Sequence, residues 1–326
     1  MHGSPKGLVF AIYYPMLAAV GVPANLAVIM ILSRGRCGLS RCITYYLVSM
    51  AVTDLLLIII AVILNRIAGI YFPFSFLSIT PVCSLRNVLL YASLDSSVWF
   101  MVAFTFDRFM AICCQKLKLK YCTKKTAVRV IGIVSLISGV KNTFWYFALE
   151  PLNMIDNIPW FCSLKLIFYT SPAWAAFDWI HCILTPSLPC ILILLLNALT
   201  ISHILAANRG RRRLRSHSNG EAQSDPEMEK RRKSIVLLFA ISGSFILLYL
   251  LYFITILYVR ISNLTYFSVS DDSESTFILE ENGYMLQLLS CCINPFIYAG
   301  TQSKFREELK NGVKYPLCLF VKLVRT

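Results

Sequence analysis

Seven long apolar runs constrain this sequence more than any other feature. Each run is long enough to cross roughly 30 Å of hydrocarbon as a helix, which takes about 20 mostly apolar residues. Because lipid offers the backbone no hydrogen-bond partners, such runs form helices that satisfy their own peptide groups. We therefore predict an all-α membrane protein, with a seven-transmembrane helix bundle occupying residues 1–300. The predicted spans lie near residues 8–33, 43–65, 80–113, 126–148, 173–206, 230–259 and 277–300.

The composition excludes an ordinary soluble domain. Hydrophobic residues make up 57% of the chain and charged residues only 15%, whereas soluble domains carry about 25% charged residues. A net charge of +14 can indicate a nucleic-acid binder. Here the basic residues lie in the short segments between apolar runs and not along one amphipathic face, so we expect no nucleic-acid partner.

The distribution of Lys and Arg predicts the orientation of the chain. Of the 31 basic residues, 25 fall in segments on one side of the seven predicted helices. That side is cytoplasmic by the positive-inside rule. We therefore expect a multi-pass protein of the cell membrane with an extracellular N-terminus and a cytoplasmic C-terminus. The same basic residues would attract the anionic membrane lipids of the inner leaflet.

Polar motifs interrupt the apolar runs. The third run starts with Cys83 and ends in Asp107-Arg108-Phe109. The chain from Cys83 to Arg108 spans about 37 Å as a helix, so the cysteine lies at the outer face and the charged pair at the inner face. Three further runs carry polar groups: Asn25 in the first, Asp54 in the second, and Asn294-Pro295-Phe296-Ile297-Tyr298 in the seventh.

In their order and spacing these motifs resemble those of rhodopsin-like (class A) G-protein-coupled receptors. The matches are Asn25 and Asp54 in helices one and two, Asp107 to Phe109 at the Asp-Arg-Tyr motif, and Asn294 to Tyr298 at the Asn-Pro-x-x-Tyr motif. Phe305 matches the start of the family's short amphipathic eighth helix. The resemblance covers nearly the whole chain, and it implies that residues 301–326 form this helix and a cytoplasmic tail.

A charged Asp at membrane depth is costly and marks a functional position by default. Asp54 resembles the sodium site of the family, with Ser97 and Asn294 as its further members. The alternative is an Asp54 that is hydrogen-bonded to Asn25 and Asn294 and holds no ion. No other cofactor or metal is expected.

The resemblance implies an activation switch built from two motifs. Asp107 would be the resting partner of Arg108, with Phe109 completing the motif, and the family's Arg helps to receive the G protein. In helix seven, Pro295 removes a backbone hydrogen bond and weakens the helix beside Asn294 and Tyr298.

Helix six departs from the family. Its register gives Phe245 and Tyr249 where the family has Phe and Trp, and its usual Pro is missing. The inner end reads Lys230-Arg231-Arg232-Lys233, so the position facing Arg108 is expected to be basic. An acidic residue at that position would form a restraining bridge, and Glu227 or Glu229 could substitute for it from the edge of the loop. We therefore predict a weak inactive state and some basal signalling.

Three positions are candidates for covalent modification. Cys83 has a candidate disulfide partner in Cys162, in the longer outer segment, where oxidising conditions preserve such bonds. The bond would pin this segment over the top of helix three as a lid. Asn263-Leu264-Thr265 is a glycosylation acceptor pattern, and Cys318 is a candidate for palmitoylation.

The residues of helix three below Cys83 are expected to line the ligand cavity, together with His181. They are Arg86, Asn87, Leu90, Tyr91, Leu94 and Asp95. Leu90 stands where amine receptors of the family carry Asp, which argues against a monoamine ligand. Leu288 stands where opsins carry the retinal Lys, which excludes light sensing.

Two interpretations of Asp95 remain open. Arg86 and Asp95 could clamp the carboxylate and the amine of a zwitterion or of a small peptide. Alternatively, Asp95 pairs structurally with His181 or with a group of helix four, because a buried carboxylate needs a partner. The pattern is also similar to a divergent set of orphan, peptide-type receptors, some of which sense aromatic amino acids.

The sequence therefore predicts a G-protein-coupled receptor and not an enzyme. Its partners would be an extracellular small molecule or short peptide and a heterotrimeric G protein, as in neuropeptide signalling. A non-signalling decoy receptor is the main alternative. A transporter is less favoured, because no internal repeat is visible.

Overall fold

A computed structural model describes residues 5–215, 226–262, 264, 266 and 274–312 of the chain. The described residues form seven long helices. They are α1 (Pro5–Ser33), α2 (Arg41–Leu57, continued by Ile58–Ile67 and Ala68–Tyr71), α3 (Thr80–Cys113), α4 (Lys124–Asn142, extended by Thr143–Tyr146), α5 (Pro172–Cys182, Ile183–Ser187 and Leu188–Arg215), α6 (Pro226–Ile261) and α7 (Glu274–Thr301). Short helices at Phe76–Ser78, Gln115–Tyr121 and Leu166–Thr170 lie in the connections. The predicted seven-helix all-α fold is confirmed.

Six of the described helices, α1 to α6, are long and apolar enough to cross a membrane. The seventh, α7, is more polar because it carries Glu280, Glu281, Gln287 and Asn294, all of them buried in the bundle. Neighbouring helices rather than lipid surround these groups, as expected for polar residues at membrane depth.

Local sequence signals set where several helices begin. The side chain of Ser40 caps α2 and that of Thr123 caps α4, each accepting a hydrogen bond from the backbone N–H three residues later. Such caps satisfy donors that a helix start otherwise leaves open. Pro81 and Pro172 occupy the first turns of α3 and α5, where a missing N–H has no cost.

Two helices contain π-helical segments. Ile58–Ile67 continues α2 in this form, and Ile183–Ser187 interrupts α5 around Pro186. Such segments are frequent at functional sites because they re-aim the side chains beyond them. In α5 the segment carries Thr185, which belongs to a polar cluster described below.

A small hairpin covers the outer end of the bundle between α4 and α5. Its strands are β1 (Leu149–Glu150), β2 (Asn153–Ile155), β3 (Ile158–Trp160) and β4 (Ser163–Leu164). They pair antiparallel as β1 with β4 and β2 with β3. A disulfide joins Cys162, in this hairpin, to Cys83 near the start of α3. The hydroxyl of Thr80 also donates to the Phe161 carbonyl across 2.7 Å, so the hairpin is held on α3 by a covalent bond and a hydrogen bond.

The outer halves of α6 and α7 approach closely at Gly283. A Cβ atom at this position would lie 2.9 Å from the Cα of Tyr252. Backbone atoms cannot turn aside as a side chain can, so only glycine permits this approach.

An eighth helix follows α7. Residues 303–312 are helical, and we label this segment α8. Phe305 is buried, and its ring meets the ring of Tyr298 edge-on with centroids 6.1 Å apart. This contact attaches α8 to the inner end of α7, where the family resemblance placed it.

Candidate functional site

The inner end of α3 holds a buried ion pair. Asp107 and Arg108 are both 5% exposed, and the guanidinium of Arg108 pairs with the carboxylate of Asp107, its Nε donating across 3.1 Å. The guanidinium also donates from Nη1 to the Ser234 hydroxyl of α6 across 3.3 Å. Phe109 is only partly buried beside the pair. Arg108 therefore connects α3 with α6 in this structure.

The expectation that a basic residue faces Arg108 is wrong. The α6 residue in contact with Arg108 is Ser234, one position beyond Lys233. The rotation of α6 about its axis places the hydroxyl, rather than an ammonium group, against the guanidinium. Within the described side chains of α6, the restraint on Arg108 is thus a neutral hydrogen bond, and the side chains of Glu227 and Glu229 lie outside them.

Two cysteines complete the surroundings of Asp107. The Cys42 thiol, at the start of α2, donates to the Asp107 carboxylate across 3.0 Å, and the Cys122 thiol contacts the Asp107 carbonyl oxygen at 3.6 Å. Burial and then the charge of Asp107 raise the pKa of the Cys122 thiol to about 12. Both cysteines were absent from the sequence-based site, because a buried Cys is ordinarily a small hydrophobe.

A second polar cluster lies near the middle of the bundle. Asp54 of α2 is 3% exposed. It accepts hydrogen bonds from the Ser97 hydroxyl at 3.0 Å and from the Asn294 amide at 2.9 Å. The structure thus brings together the three residues assigned to a sodium site. A carboxylate, a hydroxyl and an amide are all oxygen donors of the kind that hard cations prefer, so the residues fit such an ion.

Asn25 lies outside this cluster. Its amide donates to the carbonyl oxygens of Cys291 at 2.8 Å and Gly21 at 3.0 Å. The alternative without an ion requires Asp54 to be bonded to both Asn25 and Asn294; the structure shows the Asn294 bond, while the Asn25 amide bonds elsewhere. Asn25 instead ties α1 to the backbone of α7, one turn from Asn294.

Aromatic pairs line the route from the middle of the bundle to its inner end. The rings of Phe245 and Tyr249 are stacked with centroids 4.1 Å apart, and Pro295 and Tyr298 of α7 are buried. Tyr249 thus occupies, as a packed aromatic side chain, the position where the family resemblance calls for Trp.

Asp95 belongs to a polar cluster between α3, α4 and α5. Its carboxylate pairs with the Lys141 ammonium at 2.6 Å and accepts hydrogen bonds from Asn142 and Thr185. His181 contacts the Thr185 hydroxyl at 3.4 Å. Of the two interpretations of Asp95, the structure agrees with structural pairing to helix four, which supplies Lys141 and Asn142. Thr185 of α5 is the third partner of the carboxylate.

The structure does not bring Arg86 and Asp95 to one site. The Arg86 guanidinium donates to the backbone carbonyls of Leu64 at 3.0 Å and Leu77 at 3.3 Å. Asn87 donates to the Cys83 carbonyl at 3.2 Å. The clamp hypothesis for a zwitterion is therefore not supported, since Arg86 ties α3 to the end of α2 while Asp95 faces α4.

Tyr91 and His181 belong to an aromatic cluster under the outer hairpin. The ring of Tyr91 stacks on Trp145 with centroids 4.4 Å apart, and both rings meet His181 edge-on at 5.3 Å. Phe168 and Trp174 complete the cluster. These two residues expected to line the ligand cavity therefore pack in the wall between α3, α4 and α5.

An outer ion pair was missed by sequence reasoning. The Arg66 guanidinium of α2 donates to the Glu281 carboxylate of α7 across 2.8 Å. It also lies 4.9 Å from the centroid of the Tyr284 ring and 5.6 Å from that of Tyr14. A Glu inside an apolar run is a functional signal, and it would have identified Glu281.

A cavity lies between α2, α3, α6 and α7, outward of Asp54. It is lined by Leu57, Ala61, Leu90, Leu94, Tyr249, Tyr284, Gln287, Leu288 and Cys291. Two of the predicted ligand residues, Leu90 and Leu94, therefore reach it. Its space for the centre of a water-sized sphere is about 10 Å³, which is room for roughly one water molecule.

A wider groove opens at the inner end of the bundle. It has a volume of about 670 Å³ and is lined by residues of α3, α5 and the short helix between α3 and α4. These residues are Ile112, Cys113, Cys114, Lys116, Leu117, His203 and Ala207. The groove begins one helical turn beyond Arg108.

Two predicted modification sites fall outside the part of the chain that the structure describes. They are Asn263, the glycosylation candidate, and Cys318, the palmitoylation candidate.

Comparison with known proteins identifies the family. A family model described as "7 transmembrane receptor (rhodopsin family)" matches residues 24–298. The chain belongs to this family. The rhodopsin-like resemblance is thereby confirmed, as are the predictions of a receptor and of a protein that is not an enzyme. Rhodopsin-family membership and the apolar helices together make it a multi-pass membrane protein.

Individual receptors are distant relatives. The chain is 23% identical over 300 residues to "C-C chemokine receptor type 1" of Macaca fascicularis, covering 91% of this chain and 77% of that protein. It is 26% identical over 136 residues to "Thyrotropin-releasing hormone receptor" of Gallus gallus, covering 41% of this chain and 33% of that receptor. Over 222 residues it is 25% identical to "Probable G-protein coupled receptor 142" of Mus musculus, covering 64% of this chain and 52% of that protein.

Proposed function

We propose that this chain binds an extracellular small molecule or short peptide and activates heterotrimeric G proteins. The observation that carries the proposal is the buried Asp107–Arg108 pair, which contacts α6 through Ser234 beside the inner groove. An Arg held by one carboxylate and one hydroxyl can be released by a small movement of α6. The groove next to it has the volume to admit side chains of a protein partner.

Packed side chains lead inward from the outer cavity along both α6 and α7. Tyr249 lines the cavity and stacks on Phe245 of the same helix. Cys291 lines it as well, and Asn294 of the Asp54 cluster lies one turn inward on α7. A ligand that displaces Tyr249 or Cys291 would therefore act on α6 and α7 together. Such a ligand shifts the equilibrium between the resting and the active receptor only by the difference between its affinities for these two states.

The orientation belongs to the same proposal. The excess of basic residues on one side supports an extracellular N-terminus and a cytoplasmic groove. Antibody staining of intact and permeabilised cells, with an epitope tag at either end, tests this orientation. Staining of a C-terminal tag on intact cells would contradict it.

The central experiment measures G-protein activation at matched surface expression. Cells that lack their own Gα subunits are given one Gα class at a time, and dissociation of the heterotrimer is followed with and without a library of small molecules and short peptides. Arg108→Ala is expected to abolish every response of the wild-type receptor. Arg129→Ala, an exposed arginine at the inner end of α4, is the matched control and should respond as wild type.

The decoy alternative is a distinct outcome of this experiment. A chain that binds a library member and yet activates no Gα class would be a non-signalling receptor. Equal responses of the wild type and of Arg108→Ala would contradict the proposed role of the Asp107–Arg108 pair.

A further inference from the structure

The outer cavity contains one polar side chain whose hydrogen-bonding groups are not used. Gln287 of α7 is 2% exposed and lines the cavity. Among the described residues, neither its Nε2 nor its Oε1 atom has a hydrogen-bond partner. Leaving a buried amide unsatisfied on both sides costs a substantial free energy, and each such group calls for an explanation.

The remaining lining selects the kind of ligand. Among the described residues that line the cavity, none carries a formal charge, and most are aliphatic. Of the charged groups outside the lining, Arg66 and Glu281 pair with each other at 2.8 Å, and Asp54 already accepts hydrogen bonds from Ser97 and Asn294. An ammonium or a carboxylate placed beside Gln287 would therefore lose its hydration without gaining an opposite charge, which is expensive in an apolar site.

We propose that Gln287 binds a neutral carboxamide of the receptor's ligand, whose apolar remainder packs on Leu57, Leu90 and Leu94. An amide offers one donor and one acceptor side by side, as Gln287 does, so two parallel hydrogen bonds satisfy both partners. A carboxylate would oppose the Oε1 atom, and an ammonium would leave the Nε2 donors unused. This inference rests on the proposed function and names the chemical class of the ligand.

The cavity must widen to take such a group. Its present space suits about one water molecule. A ligand that carries the amide therefore binds a form of the bundle in which Tyr249 and Tyr284, the aromatic residues of the cavity wall, have turned aside. Binding of this form would displace α6 at its stack of Tyr249 on Phe245, which links occupancy to activation.

The test uses purified receptor in lipid nanodiscs without G protein. Three probes share one carbon skeleton and differ only in their polar end: 3-phenylpropanamide, 3-phenylpropanoic acid and 3-phenylpropylamine. Binding at millimolar concentration, as expected for fragments of this size, is measured by ligand-observed NMR. We expect saturation transfer to the amide at least threefold larger than to the acid or the amine.

Three variants locate the binding. Gln287→Leu, which keeps the volume and removes the amide, should abolish the preference for the amide probe. Gln302→Leu, an amide at the inner end of the bundle, is the matched control and should retain the preference. Leu90→Ala removes one apolar contact but enlarges a cavity that now has room for about one water molecule. Because space is the larger restriction, it should strengthen binding of the amide.

Two results would overturn the proposal. The first is equal binding of the three probes, or an amide preference that survives in Gln287→Leu. The second is no binding of any probe to wild type or to Leu90→Ala. Because no G protein is present, either result is distinct from a failure of G-protein activation.

Discussion

The Cys42 thiol donates a hydrogen bond to the Asp107 carboxylate across 3.0 Å, and so ties the start of α2 to the charged pair of α3. This contact holds Asp107 in the position in which it pairs with Arg108. Among the described side chains of α6, the one that contacts Arg108 is the Ser234 hydroxyl, so the resting state depends on Asp107 more than it would with an acidic partner there.

We expect Cys42→Ala to raise ligand-independent G-protein activation. A thiol is a weak donor, so its loss should cost the resting state about 1 kcal/mol and shift the equilibrium roughly fivefold. Nucleotide exchange on Gα, measured in membranes without ligand and at equal receptor density, reports this shift.

Cys42→Ser keeps a donor and should restore the wild-type level. Cys292→Ala removes a buried thiol that bonds to the Leu17 carbonyl and controls for thiol loss alone. A basal rate unchanged in Cys42→Ala would refute the role of this contact.

Breaking the Asp95–Lys141 pair should destabilise the bundle strongly. Removing one partner of a buried ion pair costs about 3–5 kcal/mol, whereas replacing both with neutral groups is often tolerated. We expect Lys141→Met alone to lower the melting temperature more than the double variant Asp95→Asn/Lys141→Met. Lys125→Met, an exposed lysine of the same helix, should leave it unchanged. A double variant as unstable as the sum of its single changes would indicate that the two groups do not interact.

Sodium is expected to stabilise the receptor through Asp54. Purified wild type should melt at a higher temperature in about 0.15 M sodium chloride than in N-methylglucamine chloride, because a ligand that binds only the folded state adds to its stability. Asp54→Asn should remove the difference, and Ser97→Ala should reduce it. Ser96→Ala, a buried neighbour of Ser97, is the matched control. Equal melting in the two salts would leave Asp54 as a hydrogen-bonded carboxylate without an ion.

Gly283→Ala should lower the melting temperature. The added Cβ would meet the backbone of Tyr252 at 2.9 Å, which forces α6 and α7 apart. At Gly243, in the same bundle, no atom lies within 4 Å of an added Cβ. There alanine should be neutral or stabilising by about 1 kcal/mol, through its higher helix propensity. Equal effects of the two substitutions would contradict the close approach of α6 and α7.

The fold was predictable because a membrane-spanning helix can be recognised in the sequence as a long run of apolar residues. The third run was expected at residues 80–113, and α3 runs from Thr80 to Cys113. Cys83, Asp107 and Arg108 could be placed by rise per residue alone. The geometry of a single helix depends on local sequence, so its two ends follow from composition and spacing.

The contacts between helices were harder to predict from the sequence. Whether Lys233 or Ser234 faces Arg108 depends on the rotation of α6, and a difference of one position turns a helix by about 100°. The partner of Asp95 was narrowed to two candidates but not chosen, because Lys141 and His181 lie on different helices. Gln287 and Cys42 were not considered, since nothing in their immediate sequence marks a polar role.

The Arg66–Glu281 pair also has a consequence for how the protein is made. Its two residues are 215 positions apart in the chain, so synthesis at about 5–20 residues per second separates their appearance by roughly 10–40 s. During that interval the outer end of α2 carries an arginine whose carboxylate partner does not yet exist. The helix that brings the partner is also the one of the seven long described helices that is not apolar enough to count as a membrane span by itself. α7 therefore enters the bundle with a buried carboxylate whose partner, on the earlier helix α2, is already in place.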